Sequence, residues 1–250
     1  MGMIKTPDQI KKMRDVCKVT SLILSNLILQ TRIGDTGFDV NKRAMDLFVA
    51  AGVEPAFKGL YGFPAVMCIS VNESLIHGIP DTRPFEDGDV VKYDIGARLD
   101  GFCSDMARTF VVGMPNDSRI LELIADTRYA LDCGIAAIRP GATLWDVAVA
   151  IETVASVRGY GNLIDFHGHG IGESVHEEPA VHNATRYAKH VLLKPGMTLA
   201  LEPMFTLGSS EVLRDPTNPW MVRAVDGSLG AHFEDTVLVL PDGQAEVLTR

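Results

Sequence analysis

The sequence predicts a mixed α/β fold built as two related halves, and three observations carry that reading. Helical periodicity and strand-like runs succeed one another along all 250 residues. The order of motifs in the second half echoes the first. Each half also carries acids inside otherwise apolar strands, where Asp and Glu are disfavoured.

Thr6-Pro7-Asp8 opens the first helix, with Thr6 as N-cap and Pro7 in the first turn. Apolar residues at 10, 13, 16, 19–20 and 23–24 continue helical spacing to about residue 29. A second helix runs from about Phe38 to Ala51 and stops at Gly52. The Gly/Pro-rich segment from Lys58 to Pro64 leads into a strand-like run from Ala65 to Val71. Asp89 to Ala97 and Phe102 to Val112 read as two strands around Arg98 to Gly101. The stretches from Ser118 to Ile138 and from Leu144 to Arg158 are again helical.

The echo is weak in identity but regular in order. Ile33-Gly34-Asp35-Thr36-Gly37-Phe38-Asp39-Val40 matches the segment Arg139 to Val147, and each precedes a helix ending in Gly52 or Gly159. Glu86-Asp87-Gly88-Asp89 matches Lys194-Pro195-Gly196-Met197, each opening a strand that bears an acid, Asp94 or Glu202. Each half closes with another acid-bearing strand, around Asp105 and around Glu234. A pseudo-twofold arrangement would bring these four acids to one central place.

Composition narrows the function classes. The net charge of −9 is spread along the chain, which argues against a nucleic-acid partner, since phosphate binding needs clustered Lys and Arg. The basic cluster Lys11, Lys12 and Arg14 reads as the solvated face of a helix. No apolar stretch reaches the ~18 residues that span a bilayer; Leu22 to Leu29 is broken by Ser25 and Asn26 and ended by Gln30. The N-terminus lacks a signal-peptide pattern. Cys17, Cys68, Cys103 and Cys133 show no CxxC spacing, so a reducing cytoplasm is expected.

The acids suggest chemistry. With residues 99–100 as the hairpin loop, Asp94 sits opposite Asp105; with Asp100-Gly101 as the turn, which that dipeptide favours, the two are diagonal neighbours. Either register holds two carboxylates within about 5–8 Å on one sheet face, which is destabilising without a cation, a shared proton or solvent. Glu202 ends an apolar strand, Glu234 lies within another, and His169 sits in Gly168-His169-Gly170-Ile171-Gly172, whose glycines permit close approach of backbone and ligand. Four carboxylates and one imidazole are too many charges for one divalent ion. They suit two ions that together activate a water, with manganese, iron or cobalt favoured and zinc possible.

Cys68-Ile69-Ser70-Val71-Asn72-Glu73-Ser74-Leu75-Ile76-His77-Gly78-Ile79-Pro80 closely resembles the first signature of type I methionine aminopeptidases. Asp94 and Asp105, His169 with its glycines, His176-Glu177-Glu178-Pro179, Pro195-Gly196-Met197-Thr198, Glu202-Pro203 and Phe233-Glu234 are similar to that family in order and spacing. The resemblance runs from about residue 4 to the last residue and implies a pita-bread α/β fold, a central antiparallel sheet with helices outside. One catalytic domain would span residues 1–250, in halves of about 1–115 and 116–250. It further implies two divalent ions held by Asp94, Asp105, His169, Glu202 and Glu234, with Asp105 and Glu234 bridging. Glu202 would carry the proton, His176 would donate to the oxyanion, and His77 would meet the scissile amide or the leaving chain.

Phe63, Cys68 and Trp220 fall where such enzymes have their methionine pocket. Substrates would be nascent polypeptides and peptides with a free N-terminus, cleaved by a cytoplasmic monomer. The ribosome exit would be a sensible workplace, although no basic extension serves it. His167 and His232 are expected near the site, and His182 and His190 at the surface.

The chain departs from the family pattern at five places. Asp235 follows Glu234 where a histidine is common, which looks more like the proline-specific branch, as does Cys103-Ser104-Asp105. Leu60, Phe57 and Val175 replace a tyrosine, a cysteine and a phenylalanine that are frequent there. The alternatives are therefore an Xaa-Pro aminopeptidase-like peptidase, a metal-free binding protein of the same fold, and a creatinase-like enzyme.

Overall fold

The computed structural model describes residues 3–214 and 218–250. Thr6 opens α1 (Pro7–Gln30) with a reciprocal cap, in which its hydroxyl accepts from Gln9 N and Gln9 Oε1 accepts from Thr6 N. The same device starts α2 (Gly37–Ala51), through Thr36 and Asp39. The echo in sequence is thus physical: in the second half the Asp146 carboxylate accepts from Thr143 N at the start of Leu144–Arg158. Gly52 and Gly159 end the two equivalent helices at φ 67° and 75°. Ahead of that second-half helix, the helix Ser118–Ala136 stops two residues before the expected Ile138.

Among the described residues three apolar clusters form, the two larger ones centred one on each half and a small third shared between them. Met13, Cys17 and Leu24 of α1 and Phe48 of α2 pack against Tyr93 and Ile95. Leu123, Leu131, Val147 and Ile151 pack against Leu199, Leu201 and Val237. No helix among the described residues is long and apolar enough to cross a membrane.

The strands of the first half follow the expected hairpin with two interruptions. β1 (Cys68–Val71) starts later than the expected Ala65, because Pro64 has no N–H and Val66 N donates to the Asn41 side chain. β1 pairs with β2 (Val90–Ile95), which pairs with the strand Met106–Val111. The short strands Ala97–Leu99 and Phe102–Cys103 continue the same register to the tip. The tip is Asp100-Gly101, both at positive φ. This selects the second of the two registers: Asp94 faces Ala107, and Asp105 is its diagonal neighbour. The ladder breaks at Ser104-Asp105, where Ser104 Oγ takes the Ala97 N–H and Asp105 N donates to Thr236 Oγ1.

The second half repeats the plan. Thr198–Leu201 pairs with Asp235–Val239, and Met204–Thr206 pairs with Gly230–His232. Both pairings share one register, and Phe233 N to Pro203 O, at 3.3 Å, connects them. The expected continuous strand through Glu234 is interrupted, since Pro203 has no N–H to offer and Glu234 turns both its backbone groups to Ala107.

That turn joins the halves. Ala107 N donates to Glu234 O at 3.2 Å and Glu234 N to Ala107 O at 3.0 Å. On either side a threonine hydroxyl replaces the missing backbone bonds: Thr109 Oγ1 bridges to His232, and Thr236 Oγ1 to Asp105. His167–Gly170 adds the next strand, with His169 opposite Ala200. One antiparallel ladder therefore runs across both halves.

Candidate metal centre

Side chains alternate across a strand, and directly paired residues share a face. Cys68 pairs with Asp94, Asp94 with Ala107, and Ala107 with Glu234. Ala200 pairs with both Thr236 and His169, and the same register sets Glu202 across from Glu234. Asp94, Asp105, His169, Glu202 and Glu234 consequently lie on one face of the ladder. Three positions on this face lie between them: Thr236, whose hydroxyl is tied to the Asp105 backbone, and Ala107 and Ala200, whose small side chains leave room above the sheet.

Donor atoms converge accordingly. Asp105, His169 and Glu234 each offer an atom within 4.8 Å of the others, and so do Glu202, His232 and Glu234. His169 Nε2 stands 3.8 Å from both Asp105 and Glu202. Its Nδ1 lies 2.9 Å from Gly170 O, a bond that places the ring proton on Nδ1 and aims the Nε2 lone pair at the acids. His232 Nε2 lies 3.5 Å from Glu202 and 3.9 Å from Glu234. The glycines flanking His169 serve the backbone rather than a ligand, since a Cβ on Gly168 would meet Ala200 O and one on Gly170 would meet Glu178 O.

The electrostatics call for cations. Burial, reinforced by Glu202, pushes Asp94 up to about 7, and burial alone lifts Glu202 to about 8. Burial raises Asp105 and Glu234 well above the carboxylate range, reinforced at Asp105 by Asp94 and Glu202 and at Glu234 by Asp105 and Glu202. Burial also holds the neighbouring imidazoles neutral, with His169 pushed down to about 3 and His232 to about 4. Among the described residues no lysine or arginine is paired with these acids, and Asp94 Oδ1, Asp105 Oδ1 and Glu234 Oε1 are buried with no hydrogen-bond partner. Such atoms cost free energy unless a ligand satisfies them. An oxygen-rich set of this kind fits divalent ions.

The centre floors a cleft of about 570 Å³. Phe57, Leu60, Phe63, Cys68 and Trp220 line its apolar side, and Phe63 and Trp220 meet edge to face at 5.1 Å. His77, at φ 57°, also lines the cleft and packs against the Phe166 ring, with burial pushing it down to about 4. His176 packs edge-on to His169 at 4.5 Å and stacks on Tyr61 at 5.7 Å. Val175 is buried in the first core and does not line the cleft. Asp235 points to the other face of its strand, away from the cleft.

His232 was expected only as a neighbour, yet it faces the acids as closely as His169 does. Its signal was available, since it lies two residues before Glu234 and so shares that face. Tyr61 carried no such signal: its positive φ in Gly59-Leu60-Tyr61-Gly62 is what turns its ring onto His176. His182 pairs with His167, which lines the cleft, and is half-buried, whereas His190 is exposed as expected.

Residues 11–241 match the model of metallopeptidase family M24. The chain belongs to this family. Among its relatives, a methionine aminopeptidase of Clostridium perfringens is 41% identical over 250 residues, covering 100% of this chain and 99% of that one. A methionine aminopeptidase of Treponema pallidum is 40% identical, covering 100% and 96%. The crystal structure of methionine aminopeptidase from Rickettsia prowazekii superposes with a TM-score of 0.95 at 33% identity, covering 99% of both chains. Prolidase from Pyrococcus furiosus gives 0.81 at 26% identity, covering 99% of this chain and 65% of that one. The family M24 fold, the expected pita-bread arrangement of antiparallel strands and outer helices, is thereby established, and with it a metal-dependent peptidase.

Proposed function

We propose that this chain removes the N-terminal methionine from peptides and nascent polypeptides. The supporting observation is the placing of Asp94, Asp105, His169, Glu202 and Glu234 on one buried face, with unpartnered oxygens, at the floor of an apolar cleft. These five residues would hold two divalent ions, with Asp105 and Glu234, diagonal neighbours across the seam, in the bridging role that the family resemblance implies. Cobalt, manganese and iron suit the donor set, with zinc a further candidate. When bound, the ions supply the charge that activates water and holds the substrate's free amine.

The protein's own groups do the rest. Glu202, on the buried face of the ladder that carries the other acids, would take a proton from the attacking water and return it to the leaving amine. His176 stands beside His169 at the open side of the cleft and donates to the developing oxyanion. His77, fixed by its backbone and by Phe166, contacts the scissile nitrogen or the leaving chain. Phe63, Trp220 and Cys68 form an edge-lined slot that suits a thioether, since sulfur packs well on aromatic edges. Residues 1–250 act as one catalytic domain of two halves, and the four free thiols suit a reducing cytoplasm.

The test is release of the first residue from paired peptides, Met-Gly-X and Ala-Pro-X, with added Mn²⁺ or Co²⁺. Methionine release alone, lost in Asp94→Ala/Asp105→Ala, is the expected result. Preferential cleavage before proline would move the chain to the Xaa-Pro branch. Release from neither peptide would overturn the proposal.

A further inference from the structure

Asp235 is the acid that the centre does not use. It is fully buried on the reverse face of the strand that follows Glu234, and three guanidinium groups surround it. Arg108 Nη2 donates to Oδ1 at 2.6 Å, Arg250 Nε to Oδ2 at 2.8 Å, and Arg128 Nη2 lies 3.9 Å from Oδ2. Thr249 Oγ1 completes the shell at 2.8 Å.

Arg108 is the arm that matters. While Nη2 holds Asp235, Nη1 donates to Glu234 O at 2.6 Å and to Ala107 O at 2.8 Å. Those two carbonyls belong to the residues that exchange backbone bonds between the halves. One rigid fork therefore grips both strands of the seam, and a buried carboxylate fixes the fork. Arg250, with 36% of its side chain exposed, grips Asp235 and Asp132 but neither strand of the seam.

We propose that Asp235 is a positioning residue for Glu234, acting through Arg108 to set the seam that places Glu234 against Asp105 and His169. The residue after Glu234 is on this account an anchor of the metal centre, and it takes no part in choosing methionine over proline substrates. The inference rests on the reading of Glu234 as a metal ligand.

Calorimetric titration of the metal-free full chain with Mn²⁺ tests it. Asp235→Asn should weaken Mn²⁺ binding tenfold or more and lower kcat, with the KM of Met-Gly-Met within about twofold. Arg108→Met should do the same. The double variant should be no worse than either single one, because both remove one fork. Arg250→Ala, which leaves the fork in place, should bind Mn²⁺ within twofold of the parent. Should Asp235→Asn fail to fold, Arg108→Lys serves instead. It keeps the charge beside Asp235, loses the second donor to the seam, and should weaken Mn²⁺ binding in the same direction.

A folded Asp235→Asn or Arg108→Lys with parental Mn²⁺ affinity would overturn the proposal. So would equal weakening in Arg250→Ala, which would make the network a general structural element. Glu234→Ala in the same titration separates the two readings, since parental affinity there would remove the ligand assignment itself.

Discussion

Ala107 and Glu234 exchange both backbone hydrogen bonds, at 3.2 and 3.0 Å, across the seam between the two halves. Because Asp94 pairs with Ala107 from the other side, a single small side chain lies between an acid of each half. Its size is what keeps the space above the sheet open. Ala107→Val would put two methyl groups there, at a cost of about 1–3 kcal/mol for overpacking. The expected outcome is a folded protein whose Mn²⁺ affinity falls tenfold or more in calorimetry. Unchanged affinity would show that the ions do not sit over Ala107.

The two histidines outside the acid cluster should separate chemistry from metal binding. His176→Ala is expected to reduce kcat by about 10²–10³, the scale for removing an oxyanion donor, with Mn²⁺ affinity unchanged. His77→Ala should lose about 10²-fold or more if it meets the scissile amide. Steady-state kinetics beside metal titration checks both, and loss of metal from either variant would make it a ligand instead.

Acidity gives a prediction of definite sign. In the metal-free fold Asp94 and Glu202 are raised to about 7 and about 8 by burial, against about 4 in an unfolded chain. Their contribution to stability is present at low pH and is lost as pH rises through those values. His77, His169 and His232, pushed down to about 4, 3 and 4, act in the opposite sense, but only below about pH 6.5. From pH 6.5 to 8.5 the histidines no longer oppose the carboxylates, and buried Lys92, pushed down to about 7, is one opposing group against four raised acids. The metal-free Tm should fall across that window by about 5 °C, on the usual conversion for this size, and saturating Mn²⁺ should remove most of the fall. A metal-free Tm that rises from pH 6.5 to 8.5 would contradict the assigned acidities.

On the proposed reading the apolar slot of Phe63, Cys68 and Trp220 sets the preference for the first residue. Phe63→Ala removes the ring that meets Trp220 edge to face. It should raise the KM for Met-Gly-X more than for Ala-Gly-X, by about tenfold on the scale of one methylene or more in a hydrophobic pocket. Equal effects on both peptides would place the methionine side chain elsewhere.

Much of this arrangement was legible in the sequence, for local reasons. The helix Leu144–Arg158 was read to the residue because its cap and its stop are both written nearby, in Thr143 with Asp146 and in Gly159. The hairpin register was left between two choices, since both two-residue loops put Asp94 and Asp105 on one face. Only the positive φ of Asp100 and Gly101 decides between them. The seam had no local signal at all. Ala107 with Glu234, and Asp105 with Thr236, are pairings between residues more than a hundred positions apart. The break in each flanking strand, at Ser104-Asp105 and at Phe233-Glu234, is the cost of making them. Asp235 looked like a substrate-related departure in sequence, because a strand's alternation shows which face a residue takes only once its neighbours are placed.

The measurement closest to the central claim is metal stoichiometry together with activity. Metal-free protein titrated with Mn²⁺ and followed by native mass spectrometry should take up two ions per chain, with methionine release from Met-Gly-Met appearing as they bind. Asp105→Ala and Glu234→Ala, the two positions proposed to bridge, should each fail to hold the pair. A protein that releases methionine without bound metal, or that holds two ions after either substitution, would contradict the account.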